Sequence, residues 1–267
     1  MENNISNRIL IKTDSSIKKN QTYLTKDEKE YIKQQYFNGK KIIDIAKELY
    51  VNKTSILKFL KKENIKVERK NKYKIKEDYF DSLNERNCYF LGLYYSDGNV
   101  HSKNNSSKIS LLITDDYVLK ELSKDIYGFE KVSYDGNMSI FYCYNKNIKN
   151  ALMKHGCVPN KSFKIRLLKL EDNLMSHFLR GMFDGDGSIY LKRPMVKITT
   201  NIDFANDLKE YLSSKNIVSC ICNYKKTKAV DLCIYKKNDV LKFLDFIYKK
   251  SNNLCINRKY IEYLKLG

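Results

Sequence analysis

The sequence predicts an α+β protein in which two pseudo-symmetric αββαββα repeats follow a small all-α helix-turn-helix module. Three observations predict it. First, the stretch Phe178-Leu-Arg-Gly-Met-Phe-Asp-Gly-Asp-Gly-Ser-Ile189 has a weaker upstream copy, Phe90-Leu-Gly-Leu-Tyr-Tyr-Ser-Asp-Gly-Asn-Val100. Aligned, Gly92 falls on Gly181, Ser96 on Gly185, Asp97 on Asp186 and Gly98 on Gly187, a period of 89 residues (186 − 97). Second, β-patterned runs and amphipathic helical runs follow each copy in the same order. Third, residues 25–66 carry three short helical patterns with signals of their own.

Each copy reads as the end of an apolar helix, a glycine stop and a strand. Gly92/Ser96 and Gly181/Gly185 are spaced four apart, so each pair shares one helical face and lets another backbone come close, a predicted helix interface. Asp97 and Asp186 fall at the last turn of these helices, where the negative end of the macrodipole costs a carboxylate ~0.3–1 kcal/mol. Two such residues at matching places point to a bound cation that offsets the cost.

Lys and Arg number 50 against 31 Asp and Glu, a formal net charge of +19. An excess of that size points to a polyanionic partner, nucleic acid by default. No apolar run approaches the ~20 residues that span a bilayer, and the opening Met1-Glu-Asn-Asn lacks a signal-peptide pattern. A soluble, cytoplasmic monomer without membrane contact is therefore expected. The 7 cysteines include no CxxC pair and lie mostly in apolar surroundings. Buried, reduced thiols are expected, with a zinc site at Cys220 and Cys222 as the alternative.

In chain order, residues 1–24 read as a flexible basic arm. Residues 25–66 form the helix-turn-helix module. Thr25-Lys-Asp-Glu28 has the form of a capping box, and Gly39 is placed to end that first helix. Ile42, Ile45, Ala46 and Leu49 give a second helix its apolar face. Tyr50-Val51-Asn52 makes the turn, with Tyr50 where a glycine is common and Asn52 as the next cap. In the third helix Ile56, Leu57 and Leu60 face inward, leaving Lys53, Thr54, Ser55 and Lys58 as candidate DNA contacts. A solvated three-helix cap is the alternative. Residues 67–80 are a basic linker suited to tracking phosphates. The repeats occupy residues 81–170 and 171–267, each opening on its motif helix, the first capped by Ser82-Leu-Asn-Glu85.

The doubled motif resembles the LAGLIDADG family of homing endonucleases in their single-chain, two-repeat form, over roughly residues 82–265. Two further segments support the resemblance. Leu152-Met-Lys-His-Gly-Cys-Val-Pro-Asn-Lys-Ser162 is similar to the segment closing each repeat, and Ile198-Thr-Thr-Asn201 to the strand end beside the active site. The resemblance implies a site-specific, double-strand DNA endonuclease that uses Mg2+ or another divalent cation. Its two motif helices would cross and hold Asp97 and Asp186 over the minor groove, with Gly98 and Gly187 joining them in the metal site. The lysine of the closing segment maps to Lys161 in the first repeat. In the second, Leu254-Cys-Ile-Asn-Arg-Lys259 is degenerate, and Arg258 or Lys259 takes the role. Asp115 and Asn201 would position water, while Asp184, matched by Tyr95, would support the helix interface.

The resemblance further implies two four-stranded saddles in the major groove. Strand alternation then sends Ile189, Leu191 and Ile198 inward, and Ser188, Tyr190, Lys192, Lys197 and Thr199 toward double-stranded DNA, with Arg193 of the intervening turn as a further DNA contact. In the first repeat Asn99, His101, Lys108 and Ser110 face DNA, and the outer hairpins add Ser133, Asn137, Asn223, Lys225, Lys226 and Lys228. Two alternatives stay open: a non-catalytic transcription regulator on the same fold, which retention of both Asp97 and Asp186 opposes, and an RNA-splicing maturase.

Overall fold

The computed structural model describes residues 24–67, 74–223 and 228–267. Residues 1–23 of the expected basic arm, residues 68–73 of the linker, and Lys225 and Lys226 lie outside the described residues. The chain divides into two compact units, residues 1–72 and 73–267.

In the first unit, α1 (Lys26–Phe37) starts where the sequence places it. Glu28 N donates to Thr25 Oγ1 at 3.3 Å and Thr25 N to Glu28 Oε2 at 2.9 Å, a reciprocal capping box. Gly39, at φ 83°, turns the chain after it. Helices α2 (Ile42–Glu48) and α3 (Lys53–Lys62) complete the unit. Its core is Ile32, Ile45, Ala46, Leu49, Ile56, Phe59 and Leu60. Phe59, not Leu57, supplies the third inward residue of α3; Leu57 is half-buried. Asn52 holds the cap position without a side-chain bond. Tyr50 adopts φ 51°, the left-handed conformation for which glycine is the usual choice in such a turn. Lys53, Thr54 and Lys58 are exposed and Ser55 is half-buried.

The second unit holds the two repeats. The first runs α4 (Glu85–Ser96), β1 (Gly98–Val100), β2 (Ser106–Leu112), α5 (Asp116–Tyr127), β3 (Ser133–Asp135), β4 (Met138–Tyr144) and α6 (Lys146–Lys154). The second runs α7 (Asp172–Asp186), β5 (Gly187–Tyr190), β6 (Met195–Asn201), α8 (Ile202–Ser214), β7 (Cys220–Asn223), β8 (Ala229–Ile234) and α9 (Lys237–Tyr248). This is αββαββα twice. Both sheets are antiparallel with equivalent orders, β1-β2-β4-β3 and β5-β6-β8-β7. One continuous apolar core joins the repeats through α4 and α7.

Three local expectations change. The cap of α4 is Asn84 with Asn87, not Ser82 with Glu85: each asparagine carbonyl accepts the other's backbone N–H, at 2.9 and 2.7 Å. Leu191 is exposed, because β5 ends at Tyr190 and Leu191 opens the turn to β6. A final helix, α10 (Asn257–Leu264), had no clear sequence signal, because a buried lysine, Lys259, occupies a position an apolar residue would normally hold.

Candidate active site

Helices α4 and α7 cross at their glycines. A Cβ placed on Gly92 would lie 2.0 Å from Phe178 O, and one on Gly181 would lie 1.9 Å from Tyr89 O, so here backbone meets backbone. Farther along the same faces, a Cβ on Gly185 would meet Ser96 Oγ at 2.0 Å and Asp97 Oδ2 at 2.6 Å. The crossing thus brings the two helix C-termini together, and with them the two acidic residues. Asp97 is the solvent-facing C-cap of α4; Asp186 is the half-buried last residue of α7. Gly98 and Gly187 follow directly. Each folds its strand back over the preceding turn so tightly that a Cβ would fall 2.5 Å from Tyr94 Cα or 2.1 Å from the Phe183 ring.

Two buried lysines stand under this pair. Lys161 Nζ donates to Ser96 O at 2.9 Å, at the end of α4. Lys259 Nζ donates to Phe183 O, Asp184 O and Gly185 O at 2.8, 2.6 and 3.2 Å, at the end of α7. Each closing segment therefore caps its own motif helix with an ammonium, which offsets the negative helix end beneath the carboxylate. Of the two second-repeat alternatives, Lys259 makes this contact. Arg258 is exposed and pairs instead with Asp115, Nε to Oδ2 at 3.2 Å.

The closing segments also cross over. That of the first repeat docks on the second, where Asn201 Nδ2 donates to Ser162 O and Ile165 O at 3.3 and 3.1 Å. The segment of the second repeat docks on the first, through Arg258 to Asp115 and Tyr117 Oη to Cys255 O at 2.9 Å. Asp115 and Asn201, expected to position water, are both engaged in these straps, and Asn201 also caps α8 through Phe204 N. Asp184 and Tyr95 share a task by opposite chemistry. Tyr95 donates to His155 O at 2.6 Å, while Asp184 accepts from Ile256 N at 2.8 Å and from the hydroxyls of Tyr89 and Tyr248. Each ties its motif helix to the closing segment of its own repeat. Arg180, which the sequence reading missed, is buried beside them and donates to Leu254 O and Ile247 O.

Electrostatics follow from this crowding. Although Asp97 keeps an edge open to solvent, desolvation by the protein packed around it raises its carboxyl above the usual range; desolvation, and then the nearby Asp97 charge, push Asp186 up to about 6. Burial lowers Lys161, and brings Lys259 down to about 8. The donor set of two carboxylates at converging negative helix ends suits a hard divalent cation, which would relieve the repulsion that raises Asp186. Among the described residues, no three His, Cys, Asp or Glu side chains are grouped so as to hold a metal, so water and phosphate oxygens would complete such a shell. Cys220 and Cys222 are free, half-buried thiols.

Because the folded-state pKa of Asp186 lies above its unfolded value of 3.8, the folded protein holds that proton more tightly between the two. Stability is therefore lost as pH rises from about 4 to 6, and the loss is complete at pH 7. In metal-free buffer at pH 7, Asp186→Asn is expected to raise stability by ~1–2 kcal/mol. Thermal melts across pH should show the gain vanish toward pH 4; a gain independent of pH would contradict the assignment.

On the sheets, the expected basic stripe is thinner than the sequence suggests. Lys108 and Ser110 are half-buried on the open face of the first sheet, and His101 is exposed beyond β1. On the second, Lys197 lies 3.2 Å from Asp231, and Thr199 donates to Asp231 at 2.7 Å, so an unforeseen acid engages both. No sequence signal marks Asp231, which interrupts an apolar run. Tyr190, Lys192, Arg193 and Lys228 are exposed, the last three off the strands.

Residues 173–248 match the family profile described as a LAGLIDADG-like domain. Solved structures similar to this chain include the meganuclease I-SmaMI bound to uncleaveable DNA, with TM-score 0.46 and 13% identity, covering 69% of this chain and 88% of that one. I-SmaMI bound to an uncleaved DNA target with calcium ions gives 0.46, 13%, 69% and 90%. The LAGLIDADG homing endonuclease I-LtrWI bound to target DNA gives 0.46, 14%, 72% and 90%. No curated protein matches the chain. The matched segment, residues 173–248, lies within the second unit and spans α7 to α9, the second of its two equivalent αββαββα repeats.

Proposed function

We propose that this protein is a site-specific DNA endonuclease of the homing type, which hydrolyses one phosphodiester on each strand of a long duplex site. The observation that carries this reading is the delivery of Asp97 and Asp186 to one surface by crossing helices, each helix end capped by a buried lysine. Asp97 and Asp186, beside Gly98 and Gly187, would hold Mg2+ or a similar cation. When bound, it supplies charge to the nonbridging phosphate oxygens and acidifies water. The protein's own part is positional and electrostatic. The glycine crossing sets the carboxylate spacing, the straps lock both closing segments, and Lys161 and Lys259 keep positive charge behind the carboxylates. With a pKa brought to about 8, Lys259 can change its proton occupancy near neutral pH. Incubating the protein with a random-target DNA library and magnesium, then sequencing the cut ends, tests the reading. Unique paired ends are expected; uncut DNA overturns it.

The first unit serves in this reading as a helix-turn-helix, a second DNA grip using Lys53, Thr54, Ser55 and Lys58. Tethering raises its effective concentration near DNA, adding affinity without forming the cleavage site. A protein starting at about Ile75 is expected to cut the same phosphodiesters with weaker binding, a shallower salt dependence and a footprint shortened on one flank. Footprinting across a salt series measures all three; an unchanged footprint and affinity would assign the first unit another task.

A further inference from the structure

Each sheet presents one face to the helices and leaves the other open. The open faces begin at the carboxylates, since β1 starts directly after Asp97 and β5 directly after Asp186. Phosphate binding does not explain what covers the open face of the first sheet. In register, Leu112 stands opposite Met138, Ser110 opposite Ile140 and Lys108 opposite Tyr142, with the polar Asp135, Ser133 and Asn99 completing these rows on the edge strands, so the apolar groups form a stripe along β4 and the end of β2. Beyond them Tyr144 stacks on Tyr142, centroids 6.1 Å apart and planes at 19°. Leu112 is 46% and Tyr144 65% exposed, whereas Met138, Ile140 and Tyr142 are half-buried. Lys108 is the one cation within the four strands of this sheet. The open face of the second sheet has Tyr190 and Met195 at its turn end, but along its length Ser188, Lys197, Thr199 and Asp231 offer hydrogen bonds.

The occupant of this apolar stripe must be continuous with the DNA addressed by the carboxylates and must admit a β-ribbon, which the major groove does. It must also offer apolar groups on an otherwise polar surface. The C5-methyl of thymine is the apolar group that base edges present in that groove. Resting on the endonuclease reading above, we propose that the first repeat reads thymine methyl groups through Leu112, Met138 and Ile140, flanked by the Tyr142–Tyr144 stack. The half-site under the first repeat is then thymine-rich, while the second repeat reads its half-site by hydrogen bonds. The target is chemically asymmetric although the protein is pseudo-symmetric.

The test uses the full chain and the targets recovered from a random duplex library by binding in calcium. Thymine enrichment is expected in one half-site, and Leu112→Ser, a surface change, should relax it there alone. Replacing thymidine by deoxyuridine in that half-site should weaken wild-type binding by about fourfold per contacted methyl. The same replacement in the other half-site should have little effect. Recovered targets without a thymine-rich half-site, or affinity indifferent to deoxyuridine, overturn the proposal while leaving the endonuclease reading intact. A Leu112→Ser protein that loses self-association but keeps its base preferences would assign the face to a second copy and overturn it equally. Failure to recover any bound duplex would count against the endonuclease reading itself.

Discussion

Asp186→Asn is expected to abolish cleavage of both strands while leaving target affinity within about tenfold, ~1.4 kcal/mol. The substitution keeps shape and removes one charge. Asp186 sits where two helix ends converge, close enough to Asp97 for that charge to raise its pKa, so the two carboxylates act as one anionic centre. Removing half of it should empty both halves of the chemistry, because neither carboxylate alone has a third protein acid among the described residues to replace its partner. Binding draws on surfaces spread over both units and should survive. Gel cleavage and filter binding on one DNA, with magnesium and with calcium, separate the outcomes. Full cleavage by this variant in magnesium would end the catalytic assignment. The metal-free stability gain at neutral pH provides an independent check that the variant is folded.

Gly181→Ala is expected to destabilise the second unit by about 3 kcal/mol or more, lowering its melting temperature by roughly 6–12 °C. The added methyl would start 1.9 Å from Tyr89 O and 2.9 Å from Leu93 N, both backbone atoms of the facing helix. Nothing there can rotate away, so the helices must separate along a contact that both repeats share. Gly185→Ala would start 2.4 Å from Ser96 Cβ, which the facing backbone fixes, and 2.6 Å from Asp97 Oδ2, which can move. It should also destabilise the second unit and, in addition, displace a carboxylate of the proposed catalytic pair, so cleavage should fall further than the stability loss alone explains. Calorimetry of both variants distinguishes the cases. Equal melting temperatures for wild type and Gly181→Ala would show that the helices do not cross at that residue.

Much of this protein is determined by patterns that span only a few residues, and those are legible without a structure. The doubled motif, the capping box at Thr25, the end of α7 at Asp186 and the alternation along β6 all depend on neighbours within one turn or one strand. The placement of Asp97 and Asp186 is legible for the same reason, because each stands at its own helix end. Tyr50 shows the limit of a residue-type rule: the turn needs a left-handed residue, and a tyrosine adopts that conformation. What the sequence left open, packing between distant segments decides. Arg258 and Lys259 are adjacent and both cationic, yet Arg258 pairs with Asp115, 143 residues away, while Lys259 enters the interior beneath α7. Asp115 and Asn201 carry the right chemistry to position water, but both are claimed by the opposite repeat's closing segment. Lys197 looks like a free DNA contact until β6 pairs with β8 and brings Asp231 beside it. In each case the side chain's role depends on which partner arrives, and that is set by the tertiary contacts of a chain folded twice upon itself.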